Sequence, residues 1–292
     1  MPDRLSRQPG SAVRPTVRHA LRSALVTVLA GLLLWATAGS VAGAGLRSAD
    51  PAPTRVRAVT TGYDISYPQC GQTFPGGGAF RVVGVNGGIV FAANRCLGPG
   101  EGPSQLAWAG RDAQLYANTG NPGPALSRHW PLGQASPRAC PASRASADTA
   151  DCAYDYGWNA AADSYATAVR AYVALGWAVA GARRTPVANR WWLDVETANS
   201  WRSNPELNVA ALRGAVAYLR SVGAASIGLY STPRMWRAIT GGTRAFDTNL
   251  TWVAGATGST SARSMCVSTG FTGGRVTMVQ YVAGGFDVDR TC

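Results

Sequence analysis

Trp191-Trp192-Leu193-Asp194-Val195-Glu196 is an apolar run that ends in two carboxylates one residue apart. Side chains alternate along a strand, so Asp194 and Glu196 fall on one side, with about 6.5 Å of strand between their Cα atoms. Two charges on one face of a hydrophobic strand carry a desolvation cost that core packing does not explain, whereas a catalytic mouth does. Glycosidic bond cleavage is the chemistry such a pair suggests first. The plainer reading is a solvated strand end paired with an arginine.

Outward from this stretch, seven more strand-like segments rich in β-branched or aromatic residues are legible, giving 62–66, 81–86, 113–118, 190–195, 226–230, 251–254, 276–281 and 286–289. Helical spacing over 159–175 (Tyr165, Val169, Tyr172, Val173) and over 208–222 (Leu212, Val216, Leu219), with Pro233 opening a short helix to about Thr240, places helices between several of them. Alternating strand and helix with eight strands favours an α/β fold of the (β/α)8 TIM-barrel type, as a single domain over 60–292, above an open doubly wound sheet. No glycine-rich phosphate loop follows the first strand. The stretch 119–156, with five prolines and two cysteines, is too long for an ordinary connection and reads as a disulfide-pinned insertion after the third strand.

The first 44 residues read as a signal peptide: Arg14, Arg18 and Arg22 precede an apolar run from Ala24 to about Ala38, and Ala42-Gly43-Ala44 offers small residues for cleavage. An uncleaved anchor over 20–46 is the alternative. A flexible leader with Pro51 and Pro53 is expected over 45–59. The mature chain, 292 − 44 = 248 residues, holds all six cysteines, and an even count in an exported chain implies disulfides rather than metal. Sequence-local pairing gives Cys70–Cys96, Cys140–Cys152 and Cys266–Cys292, one of 15 possible connectivities.

The formal charge is +12; five arginines against Asp3 put +4 of it in the first 44 residues and leave +8. Every basic residue is arginine, and the arginines are scattered rather than clustered, so nucleic acid is not the expected partner. A polyanionic cell wall suits an exported basic protein better. His129 is the single histidine of the mature chain and sits in the insertion, which leaves Ser-His-Asp, Cys-His and histidine-zinc chemistry short of residues. No metal, cofactor or membrane partner is called for after cleavage, and a monomer is expected.

Four acids stand at strand positions that suit a barrel mouth: Asp64, Asp194, Glu196 and Asp287, with Asp289 the alternative to Asp287 one register step on. Asp64 could instead cap its turn. The order Asp64-Ile65-Ser66, Leu193-Asp194-Val195-Glu196, Gly228-Leu229-Tyr230-Ser231, Trp252-Val253-Ala254, Val279-Gln280-Tyr281 and the closing Val288-Asp289 resembles the glycoside hydrolase family 25 superfamily of exported muramidases over roughly 61–290. It is also similar to the glycoside-hydrolase-like domain of unknown function of exported actinobacterial-type proteins.

The resemblance implies Glu196 as proton donor and Asp194 as the group that orients the substrate's 2-acetamido function, as in substrate-assisted glycosidases. Asp64 and Asp287 would then raise the Glu196 pKa by like-charge repulsion. Tyr63, Tyr116, Trp192, Tyr230, Trp252 and Tyr281 are candidate sugar-stacking residues, with Asn118 and Gln280 as polar contacts. The family usually carries Tyr-His-Phe at the end of the third strand; Leu115-Tyr116-Ala117-Asn118 keeps only the tyrosine. The expected function is cleavage of an N-acetylated wall polysaccharide, peptidoglycan above all. A non-catalytic wall-glycan binder or scaffold on the same barrel is the alternative.

Overall fold

The stretch around Asp194 forms the fourth strand of a closed eight-stranded barrel. The structure, a computed structural model, describes residues 59–177 and 186–292; the signal peptide read over 1–44 and all of the leader 45–59 except Val59 lie outside the described residues. In chain order the strands are β1 (Thr61–Ile65), β2 (Arg81–Gly84), β3 (Gln114–Asn118), β4 (Arg190–Asp194), β5 (Ser226–Ser231), β6 (Leu250–Ala256), β7 (Val276–Ala283) and β8 (Phe286–Thr291). The helices are α1 (Gln105–Ala109), α2 (Gly123–Leu126), α3 (Ala150–Ala174), α4 (Pro205–Ser221), α5 (Pro233–Thr240) and α6 (Ser259–Cys266). None of the described helices is long and apolar enough to cross a membrane.

The expected regular (β/α)8 arrangement needs one correction. Strands β1 to β7 pair in parallel, but β8 is antiparallel to both β7 and β1. Ala283 pairs with Phe286 across Gly284-Gly285, whose φ values of 61° and 82° are left-handed. A two-residue turn of this kind joins only antiparallel strands, because a parallel return needs a crossover of a dozen or more residues. The first residues of β8, not its last, therefore stand at the mouth.

The alternation read from Trp191 to Glu196 determines how β4 is used. Trp191, Leu193 and Val195 are buried in the main core with Leu212, Val216 and Leu219 of α4, while Trp192 joins Val82, Trp252 and Met278 inside the barrel. Full burial of large apolar side chains contributes about 1.5–3 kcal/mol each, so both faces of β4 hold it in place. Trp192 fits because Gly228 faces it on β5: a Cβ there would lie 2.1 Å from its ring.

Between β3 and β4 the insertion ends earlier than 156. Thr149 caps α3, its hydroxyl accepting from Cys152 N at 3.2 Å, and Cys152 in the first turn is bonded to Cys140. A small core of Trp130, Tyr156 and Ala147 forms beneath this bridge. The helix expected from residue 159 therefore starts nine residues sooner, through Gly157, a residue that disfavours helix in isolation. That glycine is required by packing: a Cβ at Gly157 would lie 1.8 Å from the Ala211 carbonyl oxygen, and one at Gly214 would lie 1.9 Å from that of Tyr154. The backbones of α3 and α4 touch at this crossing. The other disulfides join Cys70 to Cys96 and Cys266 to Cys292, so all three pairs follow the sequence-local pattern.

Candidate active site

The strands carry their interior side chains to one end of the barrel. Asp64 on β1 pairs in register with Asp287 on β8, and Asn118 on β3 with Asp194 on β4, which in turn pairs with Tyr230 on β5. Together with Glu196, just past the end of β4, these strands frame a cavity of about 210 Å3 lined by Asp64, Tyr116, Asp194, Glu196, Tyr230, Trp252, Gln280 and Asp287. All four proposed acids thus converge, with two of the polar or aromatic residues from β5 and β7 among their neighbours. No residue of the insertion 119–156 lines this cavity.

A chain of hydrogen bonds orients the polar side chains. Tyr230 donates from its hydroxyl to Gln280 Oε1 at 2.8 Å, and Gln280 Nε2 donates to Asp64 Oδ2 at 2.9 Å. Asn118 Nδ2 donates to Asp194 Oδ2 at 2.6 Å, while Asp194 Oδ1 is buried without a partner. The Glu196 carbonyl accepts from Trp201 Nε1 at 2.8 Å, which fixes the turn after β4.

Burial and crowding act together on the acids. Asp64 is pushed up to about 7 by burial first and the charge of Asp287 second, against the opposing hydrogen bond from Gln280. Burial likewise raises Glu196, with Asp287 adding repulsion, and raises Asp194 well above the usual range, with Glu196 adding repulsion and Asn118 opposing. Asp287 itself is raised by burial. Burial thus raises all four acids above their ordinary values, and carboxyls that repel one another titrate as a group.

Of the other residues singled out, Trp192 is fully buried beneath the cavity as packing and does not reach it. Tyr63 and Tyr281 do not line the cavity: each lies one residue from an inward side chain, Asp64 or Gln280, so strand alternation turns it outward. Tyr63 meets Phe286 edge-on, and Tyr281 packs against the buried cluster that includes Val253, Ala256 and Val279. Asn118 acts on Asp194 from outside the cavity wall.

Asp289 is an acid that the reading placed only as an alternative. It is 0 % exposed, pairs with Gly62 and Gln280, and lies one step deeper than Asp287, with neither carboxyl oxygen in a well-aligned hydrogen bond. Burial first and Asp64 second raise it well above the usual range. Both β8 acids therefore face inward at successive levels, as side chains two residues apart must.

A stability prediction follows from Asp64. The unfolded carboxyl ionises near pH 3.8 and the folded one near 7, so between these values the native chain holds the extra proton and stability falls as pH rises. The shift corresponds to about 4 kcal/mol at most, shared with the coupled acids. Asp64→Asn is expected to flatten this fall, read as a smaller loss of urea midpoint between pH 5 and pH 8 than in the unaltered protein.

Residues 163–266, from within α3 to the end of α6, match a family model described as Lysozyme-like protein 1. No curated protein matches the chain. Among solved structures it is similar to a muramidase from Trichobolus zukalii, at 14% identity and a TM-score of 0.42, covering 80% of this chain and 93% of that one. A muramidase from Acremonium alcalophilum gives 14% and 0.43, with 80% and 93% covered. The bacterial lysozyme from Streptomyces coelicolor gives 13% and 0.42, with 80% and 90% covered. The lysozyme-like match takes in Asp194, Glu196, Tyr230 and Trp252, in agreement with the resemblance read from the ends of the fourth to sixth strands.

Proposed function

We propose that this chain is an exported glycoside hydrolase of muramidase type that cleaves peptidoglycan. The observation that carries the reading is the convergence of Asp64, Asp194, Glu196 and Asp287 in one open cavity at the barrel mouth. The lysozyme-like family match over 163–266 supports it. Glu196, half-buried and raised, protonates the glycosidic oxygen. Asp194, held through Oδ2 by Asn118, presents its unpartnered Oδ1 to the N–H of the substrate's 2-acetamido group, whose carbonyl oxygen then assists at the anomeric carbon. Burial first and the charge of Asp287 second raise Glu196 towards the proton-holding form that a general acid needs, and Tyr116, Tyr230, Trp252 and Gln280 contact the sugar.

Residues 1–44 serve as the signal peptide, 45–59 as the leader and 60–292 as the barrel, acting as a monomer at the cell wall. Three disulfides suit such an oxidising compartment.

The test is incubation with purified peptidoglycan. A muramidase releases new reducing ends that borohydride converts to muramitol; a wall binder sediments with the wall and releases none, which would reject the enzyme reading. The same assay checks a pH prediction. Removing the Asp287 charge lowers the Glu196 pKa, so Asp287→Asn is expected to move the alkaline limb of the rate profile to lower pH.

A further inference from the structure

A second cavity, of about 430 Å3, opens at the same end of the barrel, between the loops that follow β2, β3 and β4. Asn199 on its wall donates from its backbone N to the Glu196 carbonyl at 3.2 Å. This tight turn keeps the two Cα atoms within about 7 Å, so the second cavity begins one turn from the proposed proton donor.

The two cavities have opposite chemistry. Four carboxyls line the first, and none lines the second. Arg128 is the cation of the second, and among the described residues its guanidinium makes one hydrogen bond, from Nε to His129 Nε2 at 3.2 Å. Around it stand aliphatic side chains left in solvent, Leu126 at 79 % and Ile89 at 62 % exposure.

Phe91 takes a left-handed φ of 63°, uncommon for a bulky side chain, and stacks on His129 with centroids 4.3 Å apart and planes 8° apart. Because His129 covers one face of that ring and Tyr156 meets it at 5.5 Å, Phe91 is a wall and not a bare platform for a sugar. Alkyl surface beside one available guanidinium fits small apolar side chains and a carboxylate. An anionic branch would be repelled by the first cavity and attracted to the second.

We propose that this second cavity binds the peptide stem of peptidoglycan, a short branch of small alkyl residues with free carboxylates carried by a sugar next to the cleaved bond. The inference rests on the muramidase reading and extends it to the substrate's peptide part. It assigns Arg128 as the carboxylate contact and Ile89, Phe91 and Leu126 as the alkyl contacts.

The test compares wall glycan bearing its stems with the same strands stripped of stems by an amidase. The unaltered protein is expected to show a kcat/KM on stem-bearing strands about tenfold higher or more, as one charge-assisted contact allows. Arg128→Ala is expected to lose this advantage through KM, with the rate on stripped strands unchanged; Leu126→Asp should do the same. Equal rates of the unaltered protein on both substrates, or an equal loss on both in Arg128→Ala, would overturn the proposal.

Failure to cleave either substrate would reject the muramidase reading and leave the cavity to a binding measurement. N-acetylmuramyl tripeptide titrated calorimetrically should then bind the unaltered protein about tenfold more tightly than Arg128→Ala. No binding, or equal binding, would overturn the proposal.

Discussion

Glu196→Gln is expected to lower the rate of peptidoglycan cleavage by about 10²–10⁴-fold, the usual contribution of a positioned general acid. Glutamine keeps the size of the side chain and its place after β4 but has no proton to give to the leaving oxygen. The loss should therefore fall on kcat, with sedimentation on the wall unchanged. Stability should not fall, because the replaced carboxyl is half-buried and held above its ordinary pKa by burial and Asp287, so the substitution removes an unfavourable charge. Retained activity would reject Glu196 as proton donor.

Asp194→Asn offers a contrast. It replaces an acceptor with an amide that can present its N–H to the same acetamido group, so kcat should fall while the alkaline limb of the rate profile, set by the burial of Glu196 and by Asp287, stays in place. In the proposed mechanism the two residues act on one transition state, so the double variant should be little worse than the more damaging single one.

The largest expected effect on stability lies far from these acids, at the crossing of α3 and α4. Gly157→Ala adds a methyl group that would lie 1.8 Å from the Ala211 carbonyl oxygen, far inside any permitted contact. Two opposing terms decide the sign. Alanine favours helix over glycine by about 1 kcal/mol. Overpacking against rigid backbone costs about 3 kcal/mol or more, and here neither helix can yield alone. A net loss of about 2 kcal/mol or more is expected, seen as a fall in Tm of roughly 4–8 °C.

Gly214→Ala should behave alike, since its added methyl would meet the Tyr154 carbonyl oxygen at 1.9 Å. Helices parted for one methyl leave room for the other, so the double substitution should cost less than the sum. A rise in Tm for either single variant would show that the close crossing is not needed.

Much of the barrel was legible because both periodicities are strong. Every expected strand overlaps an observed one, and Pro233–Thr240 matches α5 at both ends. The direction of β8 was equally open to reading, since Gly284-Gly285 between two apolar runs is a hairpin signal that counting strands passed over. The site followed from alternation: Asp194 and Glu196 inward meant Trp191, Leu193 and Val195 outward. Applied to β1 and β7, the same rule would have removed Tyr63 and Tyr281 at once.

Other features had no local signal. The start of α3 is hidden because Gly157 is selected by a partner more than 50 residues away, Ala211 of α4. The Phe91–His129 stack brings together two loops, and nothing in either loop names the other. His129 is exposed, yet its ring is one wall of a cavity.

The reversed eighth strand also decides how this barrel can be attached to anything else. A parallel β8 would deliver the chain end to the mouth, whereas here β8 starts at the mouth and runs to the opposite end, where Thr60 N donates to Thr291 Oγ1 at 2.9 Å. Chain enters and leaves the barrel side by side at its base, and Cys292 is fastened there to Cys266. A tether, tag or neighbouring module joined at either end would thus hold the molecule by its foot, with the acidic cavity facing away from the point of attachment. The adjacency of Thr60 and Thr291 also makes the barrel a natural subject for circular permutation, with the old ends joined at the base and the mouth left untouched.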